Sequence, residues 1–193
     1  MDFRKQQENM LAGNPYIDGT AEINEKREQT YKLNKEFNDS FGQPIEKRNT
    51  ILKRLLKSVG DNVVFETNFR CEFGCNITIG NNFFANFDCI MFDGAEIIIG
   101  DNVKFGPRVG IFTANHPIGP KERSELWCVA KRVIIGNNVW CCANVTINPG
   151  VEIGDNTIIG SGSVVTKSIP SGVIAAGNPC KVIRILTEEE LKK

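Results

Sequence analysis

The C-terminal half of the chain carries a small or aliphatic residue at every sixth position. One series comprises Ile135, Cys141, Ile147, Ile153, Ile159 and Val165. A second series, offset by two residues, comprises Val133, Val139, Val145, Val151, Thr157, Ser163 and Ile169. A helix would spread a period of six around its whole circumference, and one long strand would repeat every second residue. The two interlocked series therefore predict short strands joined by regular corners.

Corner residues recur with the same period. Glycine follows the aliphatic residue at Gly80, Gly100, Gly136, Gly154 and Gly160, and Asn-Asn or Asp-Asn pairs stand at 81–82, 101–102, 137–138 and 155–156. These residue types tolerate the positive φ angles that tight corners require. The repeat spans roughly residues 60–184. Three hexapeptides make one triangular turn, and stacked turns bury a column of aliphatic side chains.

Both open ends of such a stack need a cover. Residues 29–41 and 45–57 show helical spacing, with a Gly-Gln-Pro break at 42–44, and Thr187 is placed to cap an acidic first helical turn. The apolar residues with this spacing are Tyr31, Leu33, Phe37, Ile51, Leu52, Leu55 and Leu56. The expected organisation is a helical cap over 1–58, a parallel β-helix over 59–184 and a helical tail over 185–193.

Composition narrows the choice of partners. With 23 basic and 23 acidic residues the chain has no net charge, so no global field attracts it to nucleic acid or to an anionic membrane. The first eight residues lack the apolar stretch of a signal peptide, and no segment reaches the ~18 apolar residues of a membrane span. A cytoplasmic protein is expected. The seven cysteines include no CxxC pair and there is one histidine, which favours buried free thiols and no metal site.

The hexapeptide period fails between His116 and Ala130, where prolines, glycines and charged residues cannot serve as buried rungs. We expect residues 117–130 to leave the stack as a loop. Loops that project from a rigid scaffold often carry function, although a plain surface excursion is the alternative.

The segment begins at His116, the single histidine of the chain. An unperturbed imidazole has a pKa of about 6.5, so near neutral pH it is largely a base that can remove a proton from a hydroxyl. A loop histidine that merely hydrogen-bonds to the backbone is the alternative. The position of His116, at what the periodicity identifies as the one interruption of the repeat, favours the catalytic interpretation.

The sequence lacks the residues and motifs that several other catalytic sites require. A zinc site of the carbonic anhydrase type takes three histidines, and this chain has one. The segment 160–163, Gly-Ser-Gly-Ser, lies within the repeat and does not form the GxSxG turn of a serine hydrolase. The sequence has no phosphate-binding P-loop and no GxGxxG turn between a strand and a helix.

With these features the sequence resembles the hexapeptide acyltransferases, and closely the maltose, galactoside and nodulation-type sugar O-acetyltransferases, over residues 11–185. The segments that carry the resemblance are 82–87 (NFFANF), 115–117 (NHP), 135–140 (IGNNVW), 147–151 (INPGV), 164–167 (VVTK) and 176–184 (AGNPCKVIR). The resemblance implies a left-handed coil, acetyl-coenzyme A as cosubstrate, and a homotrimer with each active site between neighbouring subunits.

By the same resemblance, His116 deprotonates the acceptor hydroxyl, which attacks the acetyl thioester directly. Asn86 matches a position that contacts the reacting groups, where its amide would orient the acceptor or stabilise the oxyanion. An asparagine at a corner of the coil is the equally available alternative for Asn86.

The resemblance also assigns binding residues. The candidates for acceptor binding are Asp18, Arg27, Phe84, Asn86 and Asp93. The candidates for coenzyme A binding are Trp140 as a wall, backbone groups of Ala143 and Ser161, and, near the nucleotide and phosphates, Thr166, Lys167, Lys181 and Arg184. Ordinary solvated charges are the alternative for the acidic and basic members. The segment 125–128, Glu-Leu-Trp-Cys, and Phe84 make the expected acceptor pocket more apolar than in related sugar acetyltransferases.

Two other functions remain open at this point. A non-catalytic β-helix scaffold would keep the fold but has no need of His116, Trp140 and the Thr166-Lys167 pair. An N-acetyltransferase for an amino sugar or a xenobiotic would use the same base on an amine. The sequence does not identify the acceptor.

Overall fold

Short parallel strands stack into three sheets, which form the three faces of a coiled prism. The computed structural model describes residues 3–192; residues 1, 2 and 193, which belong to the predicted cap and tail, lie outside them. The first face contains Ser58–Val59, Ile77–Ile79, Ile97–Ile99, Val133–Ile135 and Glu152–Ile153. The second face contains Val64–Phe65, Phe84–Ala85, Lys104–Phe105, Trp140–Cys141, Ile158–Ile159, Val173–Ala176 and Lys181–Ile185. The third face contains Arg70–Cys71, Ile90–Phe92, Gly110–Phe112, Thr146–Ile147 and Val164–Val165.

The predicted hexapeptide series form the core of this prism. Every member of both series is buried, with an exposed fraction of 6% or less. The two polar members are satisfied internally: the Thr157 hydroxyl donates to the Pro170 carbonyl at 3.0 Å, and the Ser163 hydroxyl accepts from the Gly177 N–H at 3.0 Å. Burial of an aliphatic side chain contributes about 1.5–3 kcal/mol. The β-helix predicted from the period is thereby confirmed as a parallel coil of stacked strands.

Asparagine side chains form a ladder along one corner of the prism. Its members have φ between 55° and 58° and are Asn62, Asn82, Asn102, Asn138 and Asn156. In each of the first four, Nδ2 donates to the Oδ1 of the asparagine on the next turn at 2.9–3.0 Å. Asparagine fits here because it tolerates the left-handed conformation and carries both a donor and an acceptor.

The corner glycines permit the close stacking of successive turns. A Cβ atom on Gly80 would lie 2.6 Å from the carbonyl group of Gly100 on the next turn. No backbone shift at one corner could relieve such a contact without disturbing the strands on both sides.

Helices cover the N-terminal end of the coil. They are α1, Phe3–Leu11, α2, Ala21–Asp39, and α3, Ile45–Leu55. The second helix begins well before residue 29, because Thr20 caps it and its buried side includes the polar Thr30 and Asn34. A buried face that contains polar residues cannot be found from the spacing of apolar residues alone. The same spacing places Tyr31 on the apolar face, but its side chain is 53% exposed.

The interruption of the repeat is more ordered than a loop. Residues 120–124 form a short helix, α4, Pro120–Ser124, and Trp127–Ala130 form a strand. That strand pairs antiparallel with Ala114–Asn115 on one side and with Tyr16–Ile17 on the other. The excursion therefore joins the N-terminal segment to the coil through backbone hydrogen bonds.

A hairpin extends the second face at the C-terminal end of the coil, and its last strand is exposed. The strand Lys181–Ile185 pairs antiparallel with Val173–Ala176, and α5, Glu188–Leu191, follows. Thr187 caps α5 and Glu190 completes a capping box, in agreement with the prediction from the sequence. None of the helices within residues 3–192 is both long and apolar enough to cross a membrane.

We predict that Asn82→Ala destabilises the protein by about 2 kcal/mol and Asn82→Gly by about 1 kcal/mol, because alanine loses the ladder bonds and also strains the left-handed corner, whereas glycine loses the bonds alone. Urea unfolding at one fixed protein concentration measures both values. Equal destabilisation by the two variants would contradict a contribution from the backbone conformation.

Candidate functional site

Most of the predicted site residues line one of two concave regions. A groove of about 850 Å³ lies on the second face and is lined by Phe84, Asn86, Asn102, Lys104, Phe105, Gly106, Pro107, Asn138, Val139, Trp140, Cys142, Ala143 and Ser161. A small cavity of about 70 Å³ lies beside the excursion and is lined by Tyr16, Asp18, Arg27, Glu72, Phe92, Ala114, Asn115, His116 and Cys128. Within one chain, His116 and Asn86 therefore line different sites.

His116 is exposed at the mouth of the small cavity. Its Nδ1 lies 3.2 Å from the Trp127 carbonyl oxygen and 3.3 Å from the Cys128 sulfur. A carbonyl can only accept, so this bond requires the hydrogen on Nδ1 and leaves the Nε2 lone pair available as a base. The antiparallel pairing of Ala114–Asn115 with Trp127–Ala130 brings the carbonyl to the ring.

Asp18 and Arg27 meet in the same cavity, together with a residue that the sequence did not indicate, Glu72. The Arg27 Nη2 pairs with the carboxylates of both Asp18 and Glu72, and its Nε donates to Glu72 Oε1 at 2.9 Å. Asp18 is positioned because its backbone N–H donates to the Leu126 carbonyl at 2.8 Å, at the end of the sheet that the excursion forms. The cavity thus contains one cation between two carboxylates.

Burial shifts the ionisation of several cavity groups. The pKa of Glu72 rises to about 7, because desolvation outweighs the attraction of Arg27. Burial likewise raises the pKa of Cys128 to about 11 and that of Tyr16 far above its ordinary range. The thiol and the phenol are therefore neutral at physiological pH, and they contribute hydrogen-bonding groups rather than charges.

Asp93 does not reach either concave region, in contrast to its predicted role in acceptor binding. Its side chain is fully buried, and its carboxylate accepts from the backbone N–H groups of Glu72, Phe73 and Asn76 at 3.0, 2.8 and 3.3 Å. The sequence showed an acidic residue near the site but not the direction of its side chain. In the structure Asp93 holds the turn that carries Glu72.

The groove contains the residues predicted at its coenzyme-binding wall. Trp140 lies between Lys104 and Ile158 on the second face, and its outward side chain is 50% exposed. A Cβ atom on Gly106 would lie 2.7 Å from the Ala143 backbone nitrogen, so glycine at 106 leaves space beside that N–H. An exposed indole and an approachable backbone donor suit a ligand with an apolar chain and amide groups.

Phe84 and Asn86 line the same groove at the end of the strand Phe84–Ala85. The Asn86 Oδ1 accepts from the Phe87 backbone N–H at 2.9 Å, as a corner asparagine does. This bond fixes the amide plane and leaves the two Nδ2 hydrogens for another acceptor. Both interpretations of Asn86 given by the sequence are compatible with this geometry.

The four residues predicted near the nucleotide lie outside the groove. Thr166 and Lys167 are exposed just after the strand Val164–Val165, and Lys181 is exposed in the hairpin. Arg184 is engaged with Glu190 through two hydrogen bonds of 2.7 and 2.8 Å. A phosphate group would therefore have to compete with Glu190 for this guanidinium.

A signal for Glu72 was present in the sequence. The buried series steps by eight residues instead of six from Phe69 to Ile77 and again from Cys89 to Ile97. The repeat is therefore interrupted three times, not once, and the extra residues at all three places lie at the corner between the third and first faces. Glu72 and Asp93 lie in the two short insertions, next to the excursion that begins at His116. Among residues 3–192, no three His, Cys, Asp or Glu side chains lie close enough together to hold a metal ion.

Comparison with known proteins assigns the family. Residues 132–167 match the model of the bacterial transferase hexapeptide (six repeats), and residues 9–60 match the maltose acetyltransferase hexapeptide capping motif. The chain is 41% identical to the galactoside O-acetyltransferase of Escherichia coli K12, over 95% of this chain and 90% of that protein.

Solved structures support the same family assignment. The crystal structure of a maltose O-acetyltransferase from Clostridium difficile 630 has a TM-score of 0.92 and 45% identity, covering 97% of this chain and 99% of that one. A galactoside acetyltransferase in complex with coenzyme A has a TM-score of 0.91 and 40% identity, covering 96% of this chain and 93% of that one. With its repeat, its capping motif and its fold all matched, the chain belongs to the hexapeptide-repeat acetyltransferases of the maltose and galactoside O-acetyltransferase family.

Proposed function

We propose that the protein transfers an acetyl group from acetyl-coenzyme A to a hydroxyl of a sugar or a sugar-like small molecule, with His116 as general base. The observation that carries the proposal is the geometry of His116. Its Nδ1 faces a carbonyl oxygen at 3.2 Å, and the ring stands at the mouth of a cavity lined by Asp18 and Arg27. Relatives that cover nearly the whole chain are named as O-acetyltransferases of galactosides and maltose.

The proton and electron balance of the reaction is simple. The Nε2 atom of His116 takes the proton of the acceptor hydroxyl, and the oxygen forms a bond to the acetyl carbon as the carbon–sulfur bond breaks. The resulting imidazolium returns its proton to the thiolate of coenzyme A. The thioester supplies an already activated acetyl group, so no acetylated enzyme is required.

The small cavity would receive the reacting edge of the acceptor, since its volume of about 70 Å³ is well below the ~300 Å³ of an ordinary ligand pocket. Asp18 accepts hydrogen bonds and Arg27 donates them, and sugar hydroxyls can do both. The cavity also has apolar walls, formed by Phe92 and Ala114. An acceptor with one hydroxylated edge and one apolar face fits this combination best.

Coenzyme A would occupy the groove of the second face. Trp140 would form a wall for the pantetheine chain, and backbone groups at Ala143 and Ser161 would bond its amides. The phosphates would reach the exposed cations of the last turns, Lys167 and Lys181, with Thr166 and Arg184 beside them. Arg184 would exchange Glu190 for a phosphate oxygen, which offers the same fork geometry.

The two halves of the site would meet in a homotrimer. His116 and Asn86 line separate regions of one chain. In a cyclic trimer each interface pairs one surface of a subunit with a different surface of its neighbour. The base of one subunit would then face Asn86 and the groove of the next, where Asn86 Nδ2 stabilises the negative charge that develops on the carbonyl oxygen.

We predict that His116→Ala lowers the rate of acetyl transfer by about 10²–10⁴-fold while coenzyme A still binds, since general-base help has this magnitude. Release of thiol from acetyl-coenzyme A is measured with a panel of sugars, amino sugars and aromatic alcohols. The matched control is Lys121→Ala, on the same excursion but outside the cavity. Unchanged turnover by His116→Ala would remove the proposed base, and turnover of amines alone would favour N-acetylation.

Trp140→Ala is expected to raise the KM for acetyl-coenzyme A by about tenfold and leave the acceptor KM unchanged, because the indole contributes an apolar wall worth about 1–2 kcal/mol. Ile134→Ala, an outward aliphatic side chain on the first face, serves as the control. Steady-state kinetics with each substrate varied separately give both constants. An equal rise for both substrates would place the indole elsewhere in the site.

A mixture of two inactive variants tests the shared site. When His116→Ala and Asn86→Ala chains are co-expressed, we expect activity to return, because about a quarter of the interfaces in randomly mixed trimers carry both intact residues. Each variant expressed alone is the control. Activity no higher than in the separate variants would show that His116 and Asn86 do not act across an interface.

A further inference from the structure

We propose that Glu72 is a positioning residue for the acceptor: it holds the Arg27 guanidinium in the orientation in which that group and Asp18 bind the acceptor. The inference rests on the proposed function, since it assigns a second layer of residues to the same cavity. Glu72 itself acts through Arg27 and does not touch the reacting atoms.

The hydrogen bonds of Arg27 show which partner anchors it. Its Nε donates to Glu72 Oε1 at 2.9 Å and its Nη2 contacts the same oxygen, so two of its three nitrogens face Glu72. Nη2 also reaches Asp18, and Nη1 lies 3.3 Å from Asn24 Oδ1. The guanidinium carbon lies 5.5 Å from the centre of the Phe73 ring. A planar cation with these contacts has one orientation.

Burial decreases from Glu72 towards the cavity. The side chain of Glu72 is 3% exposed, that of Arg27 16% and that of Asp18 27%. The most buried member of the trio is therefore the fixed support, and the most exposed member is the one that an acceptor meets first. Support of a binding group by a more buried partner is how preorganised sites are built.

Glu72 is fixed in turn by the turn that carries it. The fully buried Asp93 accepts from the backbone N–H groups of Glu72, Phe73 and Asn76, and the Asn76 side chain donates to the Asp93 carbonyl at 2.8 Å. These bonds hold the turn at both ends. These hydrogen bonds fix the backbone of Glu72, so its carboxylate starts from a rigid support.

The arrangement is poorly suited to a purely stabilising role. Among the described residues, Glu72 Oε2 is buried and has no hydrogen-bond partner. Burial also raises the pKa of Glu72 to about 7, so the protein bears the cost of desolvating this carboxylate. A neutral side chain would avoid that cost. A carboxylate here is explained by its two contacts to Arg27 through Oε1, which hold the guanidinium most firmly when Glu72 is ionised.

The test is Glu72→Gln, which keeps the size of the side chain and removes its charge. We expect the acceptor KM to rise at least about tenfold, the loss typical of a hydrogen bond to a charged group, while the KM for acetyl-coenzyme A changes by less than about twofold. The probes are maltose and methyl galactoside, or the best acceptor of the panel if wild type turns over neither. Glu96→Gln, which breaks the exposed 2.8 Å pair with Lys57 outside the cavity, is the matched control.

A second variant separates positioning from folding. Glu72→Asp keeps the charge and should restore part of the acceptor affinity lost in Glu72→Gln. Loss of active enzyme in both variants with an unchanged acceptor KM would overturn the proposal, since it indicates a structural role. So would a crystal structure of Glu72→Gln in which Arg27 keeps its place beside Asp18.

Failure of the proposed function gives a different result from failure of the proposed role of Glu72. In that case wild type releases no thiol with any acceptor of the panel, and the role of Glu72 towards an acceptor falls with it. If wild type is active and Glu72→Gln has an unchanged acceptor KM, the role of Glu72 alone is wrong.

Discussion

The structure depends on one constraint, the burial of two residues per hexapeptide in a narrow column between three sheets. Each rung pairs its backbone with the rungs above and below and packs its aliphatic side chain on theirs. Outside the three interruptions, each side of a turn must therefore close within six residues, which the asparagine corners and glycines allow. A column of this kind is rigid and gives fixed positions to whatever projects from its corners.

The small cavity beside the excursion exists because the column is interrupted at one corner on three successive turns. Two insertions of two residues add the turn of Glu72 and the carboxylate of Asp93, and the long excursion adds His116. Since the insertions stack directly above one another, residues far apart in the sequence become neighbours. The N-terminal strand Tyr16–Ile17 then pairs with the excursion and adds Asp18, so the cap is part of the cavity and not merely a cover.

Residues whose place follows from the six-residue repeat or another local spacing were predicted correctly from the sequence. The buried series, the corner residues and the capped C-terminal turn were all predicted because each depends on local spacing. Predictions of side-chain direction were wrong where burial depends on residues distant in the sequence. Tyr31 faces solvent because polar Thr30 and Asn34 supply the buried side of α2, and Asp93 is occupied by backbone donors of a turn twenty residues earlier. Glu72 was missed because a two-residue insertion is a weak signal in a degenerate repeat.

The sequence by itself determined the coil, its corners and the place at which His116 leaves it, since a period of six residues permits no other regular burial of these side chains. The tertiary structure alone decided which polar groups face one another: Arg27 between Asp18 and Glu72, the His116 ring against the Trp127 carbonyl, and Asp93 turned inward. The physical reason is that periodicity fixes distances along the chain, whereas these contacts depend on how insertions at one corner stack and which of them the N-terminal segment covers.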